Sequence, residues 1–246
     1  MTNFKDHFSR DSAAYAEYRP RYPTELFAWL ASVSPACALA WDVGTGNGQA
    51  ALALAEHFAR VIASDPSERQ ISHATPHPRV EYRAGGETAG VESGSADLVT
   101  VAQALHWFDR PQFWTEVKRV LRPGGVIAVW CYELQHVSPE VDEVINRFYR
   151  VTVGRYWTPD RKLVEDGYRS IEFPFEELAV PVFAMSTEWT LKQEVGYLGT
   201  WSAVGRYRDK VGFDPLVLVQ PELERVWPSN QVRRVSWPLS VRAGRP

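Results

Sequence analysis

The sequence has only two cysteines, Cys37 and Cys131, far apart in the chain. That excludes a disulfide framework and a cysteine-built metal site, and it suits a reducing cytoplasm. Positive charge is not in excess: 27 Lys and Arg against 30 Asp and Glu leave a net charge of −3, with basic residues scattered apart from short clusters such as Arg233-Arg234. A partner with a phosphate backbone is therefore not expected. No stretch approaches the roughly 20 apolar residues of a membrane span. The polar start Met1-Thr2-Asn3-Phe4-Lys5-Asp6 is followed by no apolar leader, so a soluble, unprocessed chain is expected. Internal repeats and low-complexity runs are also missing. His73 and His77 are spaced as a helical metal pair, but Pro76 and Pro78 break such a face and no third ligand is evident. No metal is expected.

What is present is the material for a large core. Of 246 residues, 45% are hydrophobic and 23% charged, which suits one α/β domain with a small added cap. Leu26, Trp29, Leu30 and Val33 recur at helical spacing from about Thr24. The run 39–43 reads as a buried strand, and Ala51, Leu54, Ala55 and Phe58 as a helix face. Residues 61–64 form a second strand ending at Asp65, followed by a short helix over 68–73. Further strands are predicted at 80–84, 97–101 and 126–130. Between the last two lies a helix carrying Phe113, Val117, Val120 and Leu121, stopped by Pro123-Gly124-Gly125. Strand and helix alternate as in a parallel sheet. Ser138-Pro139 begins another helix. Residues 154–178 mix aromatics, charges and prolines without a period, and read as a cap insertion. Residues 182–190 and 232–241 read as strands. Pro238 must then sit at an edge, a bulge or a strand end, and Pro221 breaks or kinks a helix between Asp214 and Trp227. Ten tryptophans are unusual. For Trp157, Trp189, Trp201, Trp227 and Trp237 two readings stand, packing in a cap or lining a pocket.

Asp42-Val43-Gly44-Thr45-Gly46-Asn47-Gly48 follows a strand and opens a helix. Glycine there permits positive φ and close approach of a ligand to the main chain. The spacing is G-x-G-x-G. A dinucleotide fingerprint needs a glycine at 49, where Gln49 stands, and no Lys-Ser or Lys-Thr follows for a phosphate loop. Asp65, about 20 residues on, ends the next strand, where a carboxylate can accept from two ribose hydroxyls. Capping the following helix is the other role open to it.

These residues resemble the class I methyltransferases. Asp42 to Gly48 is similar to their first motif and Asp65 to their ribose-binding acid. Gly86-Glu87 resembles the adenine-meeting element, Gly94 to Val99 the entry to strand four, and Glu116 to Gly125 the helix before strand five. Ala96 and Thr88-Ala89-Gly90 depart from the family pattern. The resemblance implies a Rossmann-like α/β fold: a mostly parallel seven-stranded sheet, helices on both faces, and a small cap. It also implies S-adenosylmethionine as cofactor and in-line methyl transfer to a small molecule. A narrower likeness, in Phe8, Tyr15, Tyr18 to Pro23, Gln103 to Phe108, Tyr156-Trp157 and Gly167 to Arg169, is to the branch that includes trans-aconitate methyltransferases. It implies a carboxylic acid as acceptor.

The implied roles follow. Gly44, Thr45 and Gly46 contact the methionine part of the cofactor through the backbone. Asp42 either positions the cofactor amine or braces the loop. Asp65 holds the ribose, with Gln70 either assisting or solvated on its helix. Gly86 and Glu87 read the adenine edge. Gln103 and Ala104 end strand four, where ligands gather. His106 can act as general base toward a hydroxyl acceptor, or only orient and pack; a carboxylate needs no base. Trp107 can favour the sulfonium by cation–π attraction, or pack. Arg19 reaches the cofactor carboxylate if residues 1–23 fold over as a lid, with Tyr15 and Tyr22 walling the site. Tyr132, Tyr156 and Trp157 are candidates for the acceptor pocket. A non-catalytic cofactor-binding protein and a nicotinamide-dependent oxidoreductase are the rival readings.

Overall fold

The computed structural model describes residues 18–86, 88 and 90–246. Tyr15, Glu87 and most of the lid segment lie outside the described residues.

Alternation in the central strands determines the layers. Val126, Ala128 and Trp130 face one cluster while Ile127, Val129 and Cys131 face another; Leu98 and Val99 divide in the same way. A strand buried on both sides needs helices on both faces, and the chain supplies them. One face carries α1 (Thr24–Val33) and α2 (Gln49–Ala55), through Leu26, Phe27, Leu30, Ala51 and Leu54. The other carries α4 (Arg110–Val120), through Phe113, Trp114, Val117 and Val120. A short helix, α3 (Glu68–Ser72), follows the second strand; its N-cap Ser67 accepts from the Gln70 amide.

Between these helices run β1 (Leu39–Val43), β2 (Arg60–Asp65), β3 (Val80–Ala84), β4 (Ala96–Ala102) and β5 (Leu121–Tyr132). With β6 (Glu176–Glu177) and β9 (Leu239–Arg245) they form a seven-stranded sheet in the order β3-β2-β1-β4-β5-β9-β6. The first five are parallel, and β9 runs antiparallel to β5 and β6. The order reverses direction beside β1, between β1 and β4, and α/β sheets bind ligands at that kind of switch point.

The segment 232–241 corrects one expectation. It is two strands in two sheets. β8 (Val232–Trp237) pairs with β7 (Met185–Thr190) in a separate two-stranded antiparallel sheet, and β9 joins the main sheet. Val235, Trp237, Leu239 and Val241 keep one phase across the break, so the pattern reads as a single strand. Pro238 sits at the junction, where no ladder donor is needed, and its carbonyl accepts from the Glu133 amide at 3.0 Å. Pro221, expected to break or kink its helix, lies inside α9 (Leu216–Val226), which runs through it.

A second core lies over the carboxyl edge of the sheet. It is built by α5 (Pro139–Arg147), a π-turn at Phe148–Thr152, α7 (Leu191–Gly199), α8 (Ser202–Val211), α9 and the β7–β8 sheet. Thr190 and Gln193 close a capping box at the start of α7. Residues 154–178 divide between the two cores. Tyr156 and Trp157 pack on the second; Val164 from α6 (Arg161–Glu165), with Tyr168, Ile171, Phe173 and Phe175, packs under the main sheet.

Candidate active site

β1 and β2 end side by side, and the loop from β1 to α2 is tied across to β2: the amides of Gly44 and Thr45 both donate to the Ser64 carbonyl, at 2.8 and 3.0 Å. Gly44 and Gly48 are required by neighbours. Both have positive φ, and a Cβ would stand 2.6 Å from the Ala104 Cβ at Gly44 and collide with the Tyr82 hydroxyl at Gly48. Gly46 also has positive φ, 58°, but nothing lies within 4 Å of its missing Cβ. That space belongs to a cleft of about 840 Å³.

The cleft is lined by the loop residues Gly44, Thr45 and Gly46, by Asp65 and Gln70 from β2 and α3, and by Gln103, Ala104 and Trp107 beyond β4. Tyr22 closes one side, its ring edge-on to Trp130 at 5.5 Å. Asp65 is held from both sides, Oδ2 accepting from the Gly46 amide and Oδ1 from the Ser67 amide, each at 2.8 Å. The capping role falls to Ser67, the N-cap of α3, and Asp65 stands in the wall of the cleft. The Gln70 side chain is buried in this wall, and among the described residues its Oε1 has no partner. A buried amide oxygen without a donor is costly, so a ligand bearing hydroxyl or amine donors, as a nucleoside does, fits the cleft as built. Asn47, Gln49, Ser67 and Phe108 also line it. None of the four was assigned a site role from the sequence, although Asn47 and Phe108 adjoin Gly46 and Trp107, which were.

Asp42 resolves toward bracing. It does not line the cleft. Fully buried, it accepts from the hydroxyls of Thr45 at 2.5 Å and Thr100 at 2.8 Å. Burial pushes its pKa up to about 6 despite those two bonds. Gly86 does not line the cleft either.

A second cavity of about 650 Å³ adjoins the first. Gln103 and Trp107 line both. Gln103 holds φ 57°, a left-handed conformation in a non-glycine residue, of the kind that concentrates at functional sites. Its amide donates to the Trp130 carbonyl and its side chain to the Tyr132 carbonyl, which fix it at the end of β4. Arg19 lies here and not in the first cleft. It donates to the Tyr132 hydroxyl at 2.6 Å and to the Thr200 carbonyl at 3.2 Å, above the Tyr197 ring. Arg19, expected at the cofactor carboxylate, thus stands on the cavity that adjoins the cleft and not in the cleft wall. Trp157 lines the second cavity and Tyr156 does not: it packs on Tyr207 at 4.9 Å. The tryptophans divide both ways, with Trp157 and Trp201 in the cavity wall and Trp189, Trp227 and Trp237 in the second core.

Arg161 and His106 complete the cavity. The Arg161 guanidinium lies over Trp157 at 4.8 Å and donates from Nε to the Tyr149 hydroxyl at 2.7 Å. Among the described residues no carboxylate pairs with it. His106 Nδ1 is 2.9 Å from the Tyr168 hydroxyl, and burial with the charges of Arg161 and Arg110 pushes its pKa down to about 3. Among the described residues no group of acidic, histidine or cysteine side chains could hold a metal ion, and no helix is long and apolar enough to cross a membrane.

The methyltransferase domain family matches residues 41–129, the stretch from β1 through β5. A provisionally named methyltransferase of Dictyostelium discoideum is 36% identical over 211 residues, covering 84% of this chain and 80% of that one. A provisionally named S-adenosylmethionine-dependent methyltransferase of Saccharomyces cerevisiae is 28% identical, covering 65% of this chain and 58% of its own length. Among solved structures, a provisionally named type II methyltransferase from Anaeromyxobacter dehalogenans superposes with a TM-score of 0.86 at 48% identity, covering 93% of this chain and 98% of that one. With the glycine loop, Asp65 and the sheet order already in place, the chain belongs to the class I S-adenosylmethionine-dependent methyltransferases.

Proposed function

We propose that this enzyme methylates a small molecule bearing a carboxylate, which it holds in the second cavity against the cofactor cleft. The observation that carries this reading is the shared wall: Gln103 and Trp107 face both cavities, so an acceptor in one meets a donor in the other. The second cavity is enclosed by aromatic rings and holds two guanidinium groups, Arg19 and Arg161. Such forks suit planar carboxylates. The likeness to the trans-aconitate branch supports the same class of acceptor.

The cofactor supplies a methyl group already activated on a sulfonium. A carboxylate oxygen takes that methyl to give an ester and a neutral thioether, with no proton to remove. The residues of this chain then have three tasks. Thr45, Gly46, Asp65 and Gln70 hold the donor. Arg161 orients the acceptor, and the ring of Trp107 stands at the junction to exclude water. Such positioning is worth up to roughly 7–11 kcal/mol in the best intramolecular models. We further propose that the described part of the expected lid, residues 18–23, covers the site. Tyr22 lines one cavity and Arg19 the other, and Gln49 in α2 donates to the Pro20 carbonyl at 3.1 Å, which joins this segment to the glycine loop. Neither nucleic acid nor membrane is a partner in this reading, and the cytoplasm is its compartment.

The test is transfer of labelled methyl into a panel of small carboxylic acids, phenols and amines. The reading expects label in base-labile esters of the acids. Label in amines or phenols only would refute it.

A further inference from the structure

We propose that His106 serves the acceptor as a hydrogen-bond donor through Nε2, with the buried phenol of Tyr168 fixing that tautomer. The inference rests on the reading that the second cavity takes the acceptor.

Tyr168 is 1% exposed and holds φ 61°, a left-handed conformation rare for an aromatic residue. Its backbone is secured on both sides: the amide donates to the Leu163 carbonyl, and its carbonyl accepts from Arg242. The hydroxyl reaches the short 3₁₀ turn Leu105–Trp107. Its oxygen is 2.9 Å from His106 Nδ1.

A phenol oxygen has two lone pairs and one proton. Among the described residues Nδ1 is the one hydrogen-bond partner of this hydroxyl, and a buried O–H left without an acceptor is costly, so the proton goes to Nδ1. Burial raises the pKa of Tyr168 well above its ordinary value, and the phenol keeps that proton. Nδ1 therefore accepts. A neutral imidazole that accepts at Nδ1 carries its own proton on Nε2. The doubly protonated ring is disfavoured as well: the groups around His106 are Tyr168, Arg161 from α6, Arg110 at the start of α4 and the buried thiol of Cys131 beyond the phenol. None of these is an anion. Nε2 has no partner among the described residues, and the ring lines the second cavity.

An imidazole held in this way has no lone pair to offer an acceptor proton. It presents N–H beside the Arg161 guanidinium, and both favour an oxygen that arrives already ionised. The general-base role expected for a hydroxyl acceptor is thereby replaced. His106 selects carboxylates over neutral alcohols and amines, and Tyr168 is the positioning residue behind it.

The test is long-range proton–nitrogen NMR of the full chain labelled on histidine nitrogen, over about pH 5 to 9, with His106 assigned by its loss in His106→Gln. The expected spectrum shows a protonated Nε2, a bare Nδ1 and no titration. A bare Nε2, or a titration midpoint between about 6 and 8, would overturn the proposal. In Tyr168→Phe the lock is gone, and a population protonated at Nδ1 or a titration in that window is expected. Kinetics give a second readout, because the glutamine amide can place an N–H near the Nε2 position. On a carboxylate acceptor, His106→Gln should exceed His106→Leu in kcat/KM by about tenfold or more; equal loss in both would count against a donor. If acids are not substrates at all, the labelled-methyl panel fails while the NMR result stands, so the two ideas fail separately.

Discussion

A single methyl group placed at Gly44 or at Gly46 should have opposite consequences, and the structure gives the sizes. Both residues hold positive φ, so alanine at either costs about 1–2 kcal/mol in backbone strain. At Gly44 the new Cβ also meets the Ala104 Cβ at 2.6 Å and the Phe108 ring at 3.2 Å. Neither is the loose end of a flexible side chain. Overpacking of that kind costs about 1–3 kcal/mol more. Gly44→Ala should therefore lose about 2–5 kcal/mol, which for a chain of this length is a fall in Tm of roughly 4–20 °C. Gly46→Ala meets no neighbour and should lose only about 2–8 °C. Its methyl projects into the open space of the cofactor cleft, so the loss there falls on binding. The assays are thermal melting without ligand and calorimetric titration with S-adenosylhomocysteine. A Gly46→Ala protein that binds like wild type, or a Gly44→Ala protein that melts with it, would refute the account of the loop.

Other outcomes follow from single residues. Arg161→Met keeps the stack on Trp157 and removes the charge, so KM for a carboxylate acceptor should rise about 10–100-fold with little change in cofactor affinity; an unchanged KM in steady-state assays would remove the anion-binding role. Glu194 is fully buried beside Gln135, which donates to its Oε1 at 2.5 Å; burial pushes its pKa up from 4.5 to about 7. A raised carboxyl pKa means that the folded state holds the proton more tightly. Its contribution to stability is then full below about pH 4.5 and is lost as pH climbs through about 7, a change of about 3 kcal/mol. Denaturant melts at pH 5 and pH 8 should show that decline in wild type and much less of it in Glu194→Gln; equal declines would show that Glu194 does not titrate in this range.

Strands one, two, four and five were legible as apolar runs and the third, Val80 to Ala84, as an alternation, although the fifth starts at Leu121, which was expected on the preceding helix; the cofactor cleft was legible because its loop and Asp65 lie at fixed sequence offsets. The rest depends on contacts between distant segments. Val235 and Leu239 share a phase, so only the partners of β8 and β9 reveal that the chain changes sheets at Pro238. The second cavity draws Tyr132, Arg161 and Tyr197 from β5, α6 and α7, Arg19 from the segment before α1 and Trp201 from the link before α8, and no local pattern joins all of them. The aromatic pair Tyr197 and Trp201, four residues apart, was the one local signal available. Asp42 shows the same limit. Its place before the glycine loop suits a ligand contact or a brace equally, and only the hydroxyls of Thr45 and Thr100 decide. For His106, the decisive partner lies 62 residues away in the cap segment.

The central claim is that the cleft at the end of β1 and β2 binds S-adenosylmethionine through Asp65. Calorimetric titration of S-adenosylhomocysteine into wild type and Asp65→Ala tests it most directly. The account predicts saturable binding at one site per chain in wild type and affinity weakened about 10–100-fold in the variant, the size of a lost hydrogen bond to a charged group. Equal affinity in the two proteins, or no binding in wild type, would contradict it.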